Sequence, residues 1–285
     1  MFASLNAKAL GLNLTASQTV ELAARHGFGG VDLLVRDLVE RDENVDRIRA
    51  RIEELQLRPG AWPLPMDWRN DKTTFEHDLR QLPTYARIAQ RLGLSATCTW
   101  VEPASFDHVE AIDKHRTRIA AIARILHDFA IRLGLEVIGV ESFRAEKGKP
   151  LYHHLGNARF LELYHELSER SPNIGLTLDA FHLHAANEDN STWTGFGVAN
   201  VVWVHVADLP LGAKRARDEI HDTDRGLPGE HGDVDNQGML SRLMELDYDG
   251  PVTAEPMPAC RSLAGLSVEE IAGRTRKALA RVWPQ

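Results

Sequence analysis

Two cysteines in 285 residues, Cys98 and Cys260, lie far apart and form no Cys-x-x-Cys, which excludes a disulfide framework and fits a reducing compartment. No apolar run approaches the roughly 20 residues that a membrane helix needs. Residues 1–14 break their apolar stretch with Asn6, Lys8 and Asn13 and carry no basic leader. No signal peptide is expected, and the location is expected to be cytoplasmic. Cations are also short: 33 Lys and Arg face 41 Asp and Glu, a net charge of −8. A duplex-binding protein needs a basic footprint to neutralise phosphates, so nucleic acid is not an expected partner. Linkers and low-complexity segments are absent. What is there, 43% hydrophobic and 26% charged residues, is enough chain and apolar surface for a sizeable globular core. One domain over residues 1–285 is expected.

One pattern recurs: a charged amphipathic helix, a Gly- or Pro-punctuated turn, then an apolar strand. It appears at residues 24–34, 53–62, 89–100, 130–142, 168–181, 196–208 and 244–256, with Asn200 replacing the glycine or proline at the sixth. An opening strand at residues 2–6 makes eight. Eight strands alternating with helices is the count for a (β/α)8 TIM barrel, an α/β fold. The strands read as nearly continuous apolar runs, such as Val137-Ile138-Gly139-Val140 and Val201-Val202-Trp203-Val204, as expected when both faces are buried. Ile119, Ile122, Ile125, Leu126 and Phe129 give one of the helices its 3.6-residue spacing. Pro83 predicts a kink or a start in the third helical segment. A doubly wound sheet fits less well, because no Gly-x-Gly-x-x-Gly follows the first strand. The longest irregular stretches, residues 62–72, 142–156, 185–194 and 209–235, all follow strands and so fall on the face where barrel enzymes place their sites.

The ends of four consecutive strands carry ionisable residues. On this reading strand five ends at Glu141, strand six at Asp179 with His182 three residues on, strand seven carries His205, and strand eight ends at Glu255. Each has a plain alternative. Glu141 pairs with Arg144, Asp179 caps a helix, His205 is a core histidine, and Glu255 belongs to a rim ion pair. Four such residues at equivalent positions on one rim favour a shared role, since a buried charge is costly alone. Three carboxylates and one imidazole form an oxygen-rich set suited to one divalent ion, Mn²⁺, Mg²⁺ or Co²⁺, and also open to Zn²⁺. Arg225, in the turn Asp224-Arg225-Gly226-Leu227-Pro228-Gly229-Glu230, offers a fork of donors to substrate oxygens, or else pairs with Asp222 or Asp224. Trp62, Trp68 and Trp100 stand near the ends of strands three and four, where they stack on a sugar ring or pack in the core.

These residues together resemble the xylose-isomerase-like TIM barrel superfamily of sugar isomerases, epimerases and endonuclease-IV-related proteins. The resemblance runs from Ala3 to about Ala280 and rests on Glu141 in GVES, Asp179 and His182 in LDAFH, His205 in VHVAD, Arg225 in DRGLPGE and Glu255 in AEP. Likeness to its ketose 3-epimerase branch implies that Glu141, Asp179, His205 and Glu255 bind one divalent metal. It further implies that Glu141 and Glu255 move protons while His182 and Arg225 hold substrate oxygens. The long stretch 209–224 and the added His231 in Gly229-Glu230-His231-Gly232 depart from that branch and bear on the substrate. The endonuclease branch needs extra histidines after strands three and four. Here those ends read Ala61-Trp62-Pro63-Leu64-Pro65 and Thr99-Trp100-Val101-Glu102-Pro103.

The chemistry the resemblance implies is proton abstraction beside a carbonyl through a metal-stabilised enediolate, giving epimerisation or aldose–ketose isomerisation. A dehydratase or lyase on a keto-sugar, keto-inositol or 3-keto-glycoside shares the first step. Lys214, Arg215, Arg217 and His221 in the strand-seven loop speak for that alternative. A non-catalytic barrel subunit would have no need of four matched ligands. Barrels of this type often pair through their helical shell, so a homodimer or homotetramer is an expectation.

Overall fold

The computed structural model describes residues 1–145, 148–212 and 216–285. Parallel strands form a single closed sheet: β1 Phe2–Asn6, β2 Gly30–Asp32, β3 in two pieces Arg58–Pro59 and Ala61–Pro63, β4 Ala96–Val101, β5 Arg132–Val137, β6 Ile174–Asp179, β7 Val201–Val206 and β8 Pro251–Ala254. The break in β3 falls at Gly60. Closure runs through it, with Gly60 N donating to Val31 O at 2.9 Å and Leu33 N to Ala61 O at 3.2 Å. The expected eight-stave barrel is therefore the fold. β1 pairs with β8 on one side and β2 on the other, and a separate antiparallel pair, Ala104–Ser105 with Lys149–Pro150, lies outside the barrel sheet.

Polar caps start the surrounding helices. Thr15, Asp71, Asp107, Asn157, Asp235 and Ser267 each accept a backbone N–H from the first turn of the helix that follows. The helix Lys72–Leu92 runs through Pro83 without starting there, and it ends at Gly93, whose φ of 80° is the left-handed conformation that a C-cap uses. No helix among the described residues is long and apolar enough to cross a membrane.

Alternation along the staves decides what enters the barrel lumen. Ala61, Ala96, Val202 and Trp203 come from β3, β4 and β7, which are not all neighbours, and they pack into one small cluster with Cys98. That cluster is the floor of the lumen. Above it Asp32 is a buried acceptor for Ser4 Oγ at 2.7 Å, Thr253 Oγ1 at 2.6 Å and Ala61 N at 2.8 Å, tying β1, β2, β3 and β8 together. Burial pushes the Asp32 carboxyl above its usual range, against these hydrogen bonds.

Strand five begins earlier than the sequence pattern suggests. β5 occupies Arg132–Val137, and Gly134 is an interior strand residue, not a helix stop. A Cβ at Gly134 would lie 2.2 Å from Thr177 Oγ1 and 3.1 Å from Thr177 N on β6. Gly134→Ala is thus expected to destabilise the fold by about 1–3 kcal/mol through overpacking. A denaturation midpoint equal to that of the parent would show that β5 and β6 are not packed this closely.

A candidate metal centre at the C-terminal rim

The five-residue displacement of β5 changes which acid reaches the rim. Glu136, not Glu141, lies beside the ends of β6, β7 and β8. One ligand atom from each of Glu136, Asp179, His205 and Glu255 falls within 4.8 Å of all the others. Among the described residues this is the one such group. The expected position of Glu141 is corrected. It begins the short helix Glu141–Ala145, its side chain is 58% exposed, and it faces Arg144 at 3.6 Å.

Local structure explains how each of the four is held. Glu136 is the lone acid in an apolar stave, on the same face as Gly134. Asp179 ends β6 and also caps the helix Ala180–Ala185, with Phe181 N donating to Oδ1 at 2.8 Å, so capping and site geometry coexist in one residue. His205 lies one residue from the end of β7, with Nδ1 at 3.1 Å from Glu136 Oε1 and 3.4 Å from Glu255 Oε2. Glu255 extends β8 by one rung, its N–H donating to Val206 O at 2.9 Å, and its side chain is 23% exposed toward the mouth.

Arg225 enters the same cluster from the loop after β7. The base of that loop is pinned. Asp208 and Gly226 exchange backbone hydrogen bonds, and the buried Asp208 carboxylate accepts from the backbone N–H groups of Leu209, His231, Gly232 and Val234. Glu230 accepts from Leu227 N and Ser262 Oγ. Anchored this way, Arg225 is 2% exposed. Its Nη1 donates to Asp179 Oδ2 at 2.7 Å and to Glu255 Oε2 at 3.3 Å. Its Nη2 donates to Asp222 Oδ1 at 2.6 Å and to His182 Nε2 at 3.1 Å. A guanidinium only donates, so His182 Nε2 is the acceptor in this contact. The anticipated neighbour Asp222 is present, but the pair is buried on the arginine side.

The charges are strongly coupled. Burial opposes ionising Asp179, yet Arg225 above all, with His205, overcomes it and draws the carboxyl down to about 2. Burial likewise opposes a charged His205, but Glu255, Glu136 and Asp179 raise it to about 10. Glu255 goes the other way: burial, aided by Glu136 and Asp179, lifts it to about 7 despite His205 and Arg225. Asp222 stays below the usual aspartate range, because the charge and hydrogen bond of Arg225 outweigh its desolvation. Three buried carboxylates converging on one point repel each other unless a cation compensates them. The donor set and its spacing therefore fit a divalent metal.

The tryptophans fall differently. Trp62 is 0% exposed and packs in the main hydrophobic core, on the opposite face of β3 from the lumen residue Ala61, so it is not available to a substrate. Its stave is too short and too interrupted for its alternation to be read from sequence. Trp68 is also core, its Nε1 donating to Thr99 Oγ1 at 2.7 Å. Trp100 shares the β4 face of Ala96 and Cys98 and is partly exposed at the rim. The Arg69 guanidinium lies 3.6 Å over its ring, and Phe143 packs against it in a T-shaped contact at 5.5 Å. Cys98 stands beside the cluster, and burial, then Glu136 and Glu255, push its thiol well above the usual range. Arg217 donates to Asn187 and His221 N–H donates to Asp224 Oδ2, both away from the cluster; Lys214 and Arg215 lie outside the described residues.

The model of the xylose isomerase-like TIM barrel family matches residues 20–280. The chain belongs to this family. Its likeness to an inosose isomerase of Halalkalibacterium halodurans is 36% identity over 86 residues, which is 29% of this chain and 28% of that protein. The chain thus matches under a third of that relative's length. A xylose isomerase domain protein from Alicyclobacillus acidocaldarius superposes with a TM-score of 0.84 at 23% identity, covering 98% of this chain and 97% of the other. An IOLI protein with a binding zinc atom superposes at 0.79 and 18% identity, covering 99% and 98%. At these identities the structural likeness is one of fold.

Proposed function

We propose that the protein is a divalent-metal-dependent sugar epimerase or isomerase that abstracts a proton beside a carbonyl. The observation that carries this is the convergence of Glu136, Asp179, His205 and Glu255 within 4.8 Å, with the buried Arg225 donating into the same cluster. The oxygen-rich set suits Mn²⁺, Mg²⁺ or Co²⁺, and Zn²⁺ is the alternative to which the IOLI likeness points. When bound, such an ion supplies Lewis-acid stabilisation of negative charge on substrate oxygens.

The side chains account for the proton transfers. A carboxylate oxygen of Glu255 takes the proton from the carbon beside the carbonyl. The C–H pair becomes the new C=C bond and the carbonyl pair moves onto oxygen, giving an enediolate. Burial lifts this carboxyl to about 7 in the metal-free site; as a metal ligand it would be held ionised and ready to accept the proton. Glu136 and Glu255 stand on the outermost of four neighbouring staves, so a proton removed from one side of the substrate is returnable from the other, which inverts the centre. Return to the adjacent carbon gives aldose–ketose isomerisation. Arg225 and His182 are assigned to substrate oxygens and Trp100 to the uncovered side of the sugar. The partial likeness to an inosose isomerase favours unphosphorylated cyclic keto-polyols among the substrates to try.

The test is a panel of ketohexoses and keto-inositols in D₂O with Mn²⁺, followed by NMR. Deuterium is expected at the carbon beside the carbonyl, and Glu136→Gln and Glu255→Gln should each slow its entry by at least about a hundredfold. Loss of water or of an aglycone instead would make the protein a lyase. Full exchange in either variant would remove that glutamate from proton transfer.

A further inference from the structure

We propose that Asp222 is a positioning residue whose carboxylate fixes the rotation of the Arg225 guanidinium, which in turn donates to His182, so that Arg225 faces the site in one orientation. The inference rests on the reading of the site as a sugar-transforming centre.

The N–H groups of Arg225 divide into two sides. Nη1 serves Asp179 and Glu255, which belong to the candidate metal ligands. Nε and Nη2 serve Asp222: Nε reaches its main-chain O at 3.1 Å and Oδ1 at 3.2 Å, and Nη2 reaches Oδ1 at 2.6 Å. Nη2 also donates to His182 Nε2 at 3.1 Å, so the ring is reached through the guanidinium and not through Asp222, whose Oδ1 stands 3.6 Å from the same nitrogen. Among the anionic partners of Arg225, Asp222 is thus the one outside the ligand set. Its hold on the guanidinium does not compete with metal ligation. The Phe181 ring under the guanidinium, 4.6 Å away, fixes the height of the group but not its rotation. Rotation about the Arg225 side chain is set by the two hydrogen-bonded edges, and Asp222 supplies the outer one. Its own side chain is 32% exposed, at the mouth, where a substrate would pass it. The turn carrying it is closed by His221 N–H donating to Asp224 Oδ2 at 2.9 Å. A guanidinium held at its outer edge by Asp222 keeps Nη1 aimed into the ligand cluster, where it meets a substrate oxygen without first paying rotamer entropy.

The experiment uses ¹⁵N-arginine-labelled full-length protein loaded with Mg²⁺, with the Arg225 Nε–H resonance assigned by its loss in Arg225→Ala. In Asp222→Ala that resonance should lose its protection from solvent exchange. In Asp222→Asn, which keeps one acceptor oxygen, it should persist. On whichever panel sugar shows deuterium exchange, Asp222→Ala should lower kcat/KM by about 10–100-fold, the cost of a lost charged hydrogen-bond partner. It should add nothing in an Arg225→Ala background. Metal stoichiometry should stay at the parent value in both Asp222 variants. An unchanged Nε–H signal in Asp222→Ala, or additive losses in the double variant, would overturn the proposal. A parent protein that binds metal but exchanges deuterium into no panel sugar would count against the proposed function, and the resonance would still decide the Asp222–Arg225 link.

Discussion

Glu136→Ala is expected to abolish binding of a divalent ion, while Glu141→Ala keeps about one ion per chain. The two acids lie five residues apart in Leu135–Ser142, and only one of them can be a ligand. Glu136 sits on β5 with an oxygen 3.1 Å from His205 Nδ1, inside the cluster, whereas Glu141 points to solvent beside Arg144. Removing a residue that merely orients a ligand typically costs 10–100-fold in metal affinity, so deleting a ligand itself should cost more than about a hundredfold. Metal analysis after dialysis, with Mn²⁺ titration as the quantitative arm, separates the cases. Loss of metal in Glu141→Ala with retention in Glu136→Ala would restore the strand ending first read from the sequence. Circular dichroism of both variants guards against a folding defect, since Glu136 is buried in the barrel.

The misplacement has a specific cause. The tetrapeptide Arg-Leu-Gly-Leu occurs twice. At residues 91–94 it ends a helix, with Gly93 at φ 80°. At residues 132–135 it is the first part of β5, and Gly134 is extended because a side chain there would strike Thr177. Local sequence is the same, and tertiary packing chooses between them. Period-2 reasoning would have helped: an isolated acid in Leu133–Ile138, two residues from a glycine, stands on the face that Gly134 turns toward β6. The barrel itself was legible because its signal is repeated eight times, and one misjudged boundary leaves the count unchanged. Asp179, His205 and Glu255 were legible as rim positions because ionisable residues are rare in apolar staves, whatever their roles prove to be. Trp62 was not, since three residues after a glycine break carry too little alternation to say which face is inside. Asp222 was seen only as an arginine's neighbour, because loop geometry has no period and the Arg225–His182 contact it supports joins residues 43 apart in the chain.

Affinity for a divalent ion is expected to fall by about a thousandfold between pH 8 and pH 6, because protons compete for the same atoms. His205 is held protonated to about 10 by Glu255, Glu136 and Asp179, against its own burial. An ion must therefore displace that proton throughout this window, which weakens binding about tenfold for each unit of acidification. Glu255, lifted to about 7 by burial, adds a second proton as the pH drops through neutrality, roughly another tenfold over the window. Asp179, drawn down to about 2 against its burial by Arg225 and His205, remains ionised and contributes no slope. His205 and Glu255 touch at 3.4 Å, so the two protons belong to the pair, and the sum is firmer than its division between them. Calorimetric Mn²⁺ titrations at pH 6, 7 and 8, each in two buffers of different ionisation enthalpy, measure both the affinity and the protons released. Between one and two protons per ion near pH 7 is the expected count. An affinity that does not change with pH would take His205 out of the ligand set, and with it the case for a four-residue centre at this rim.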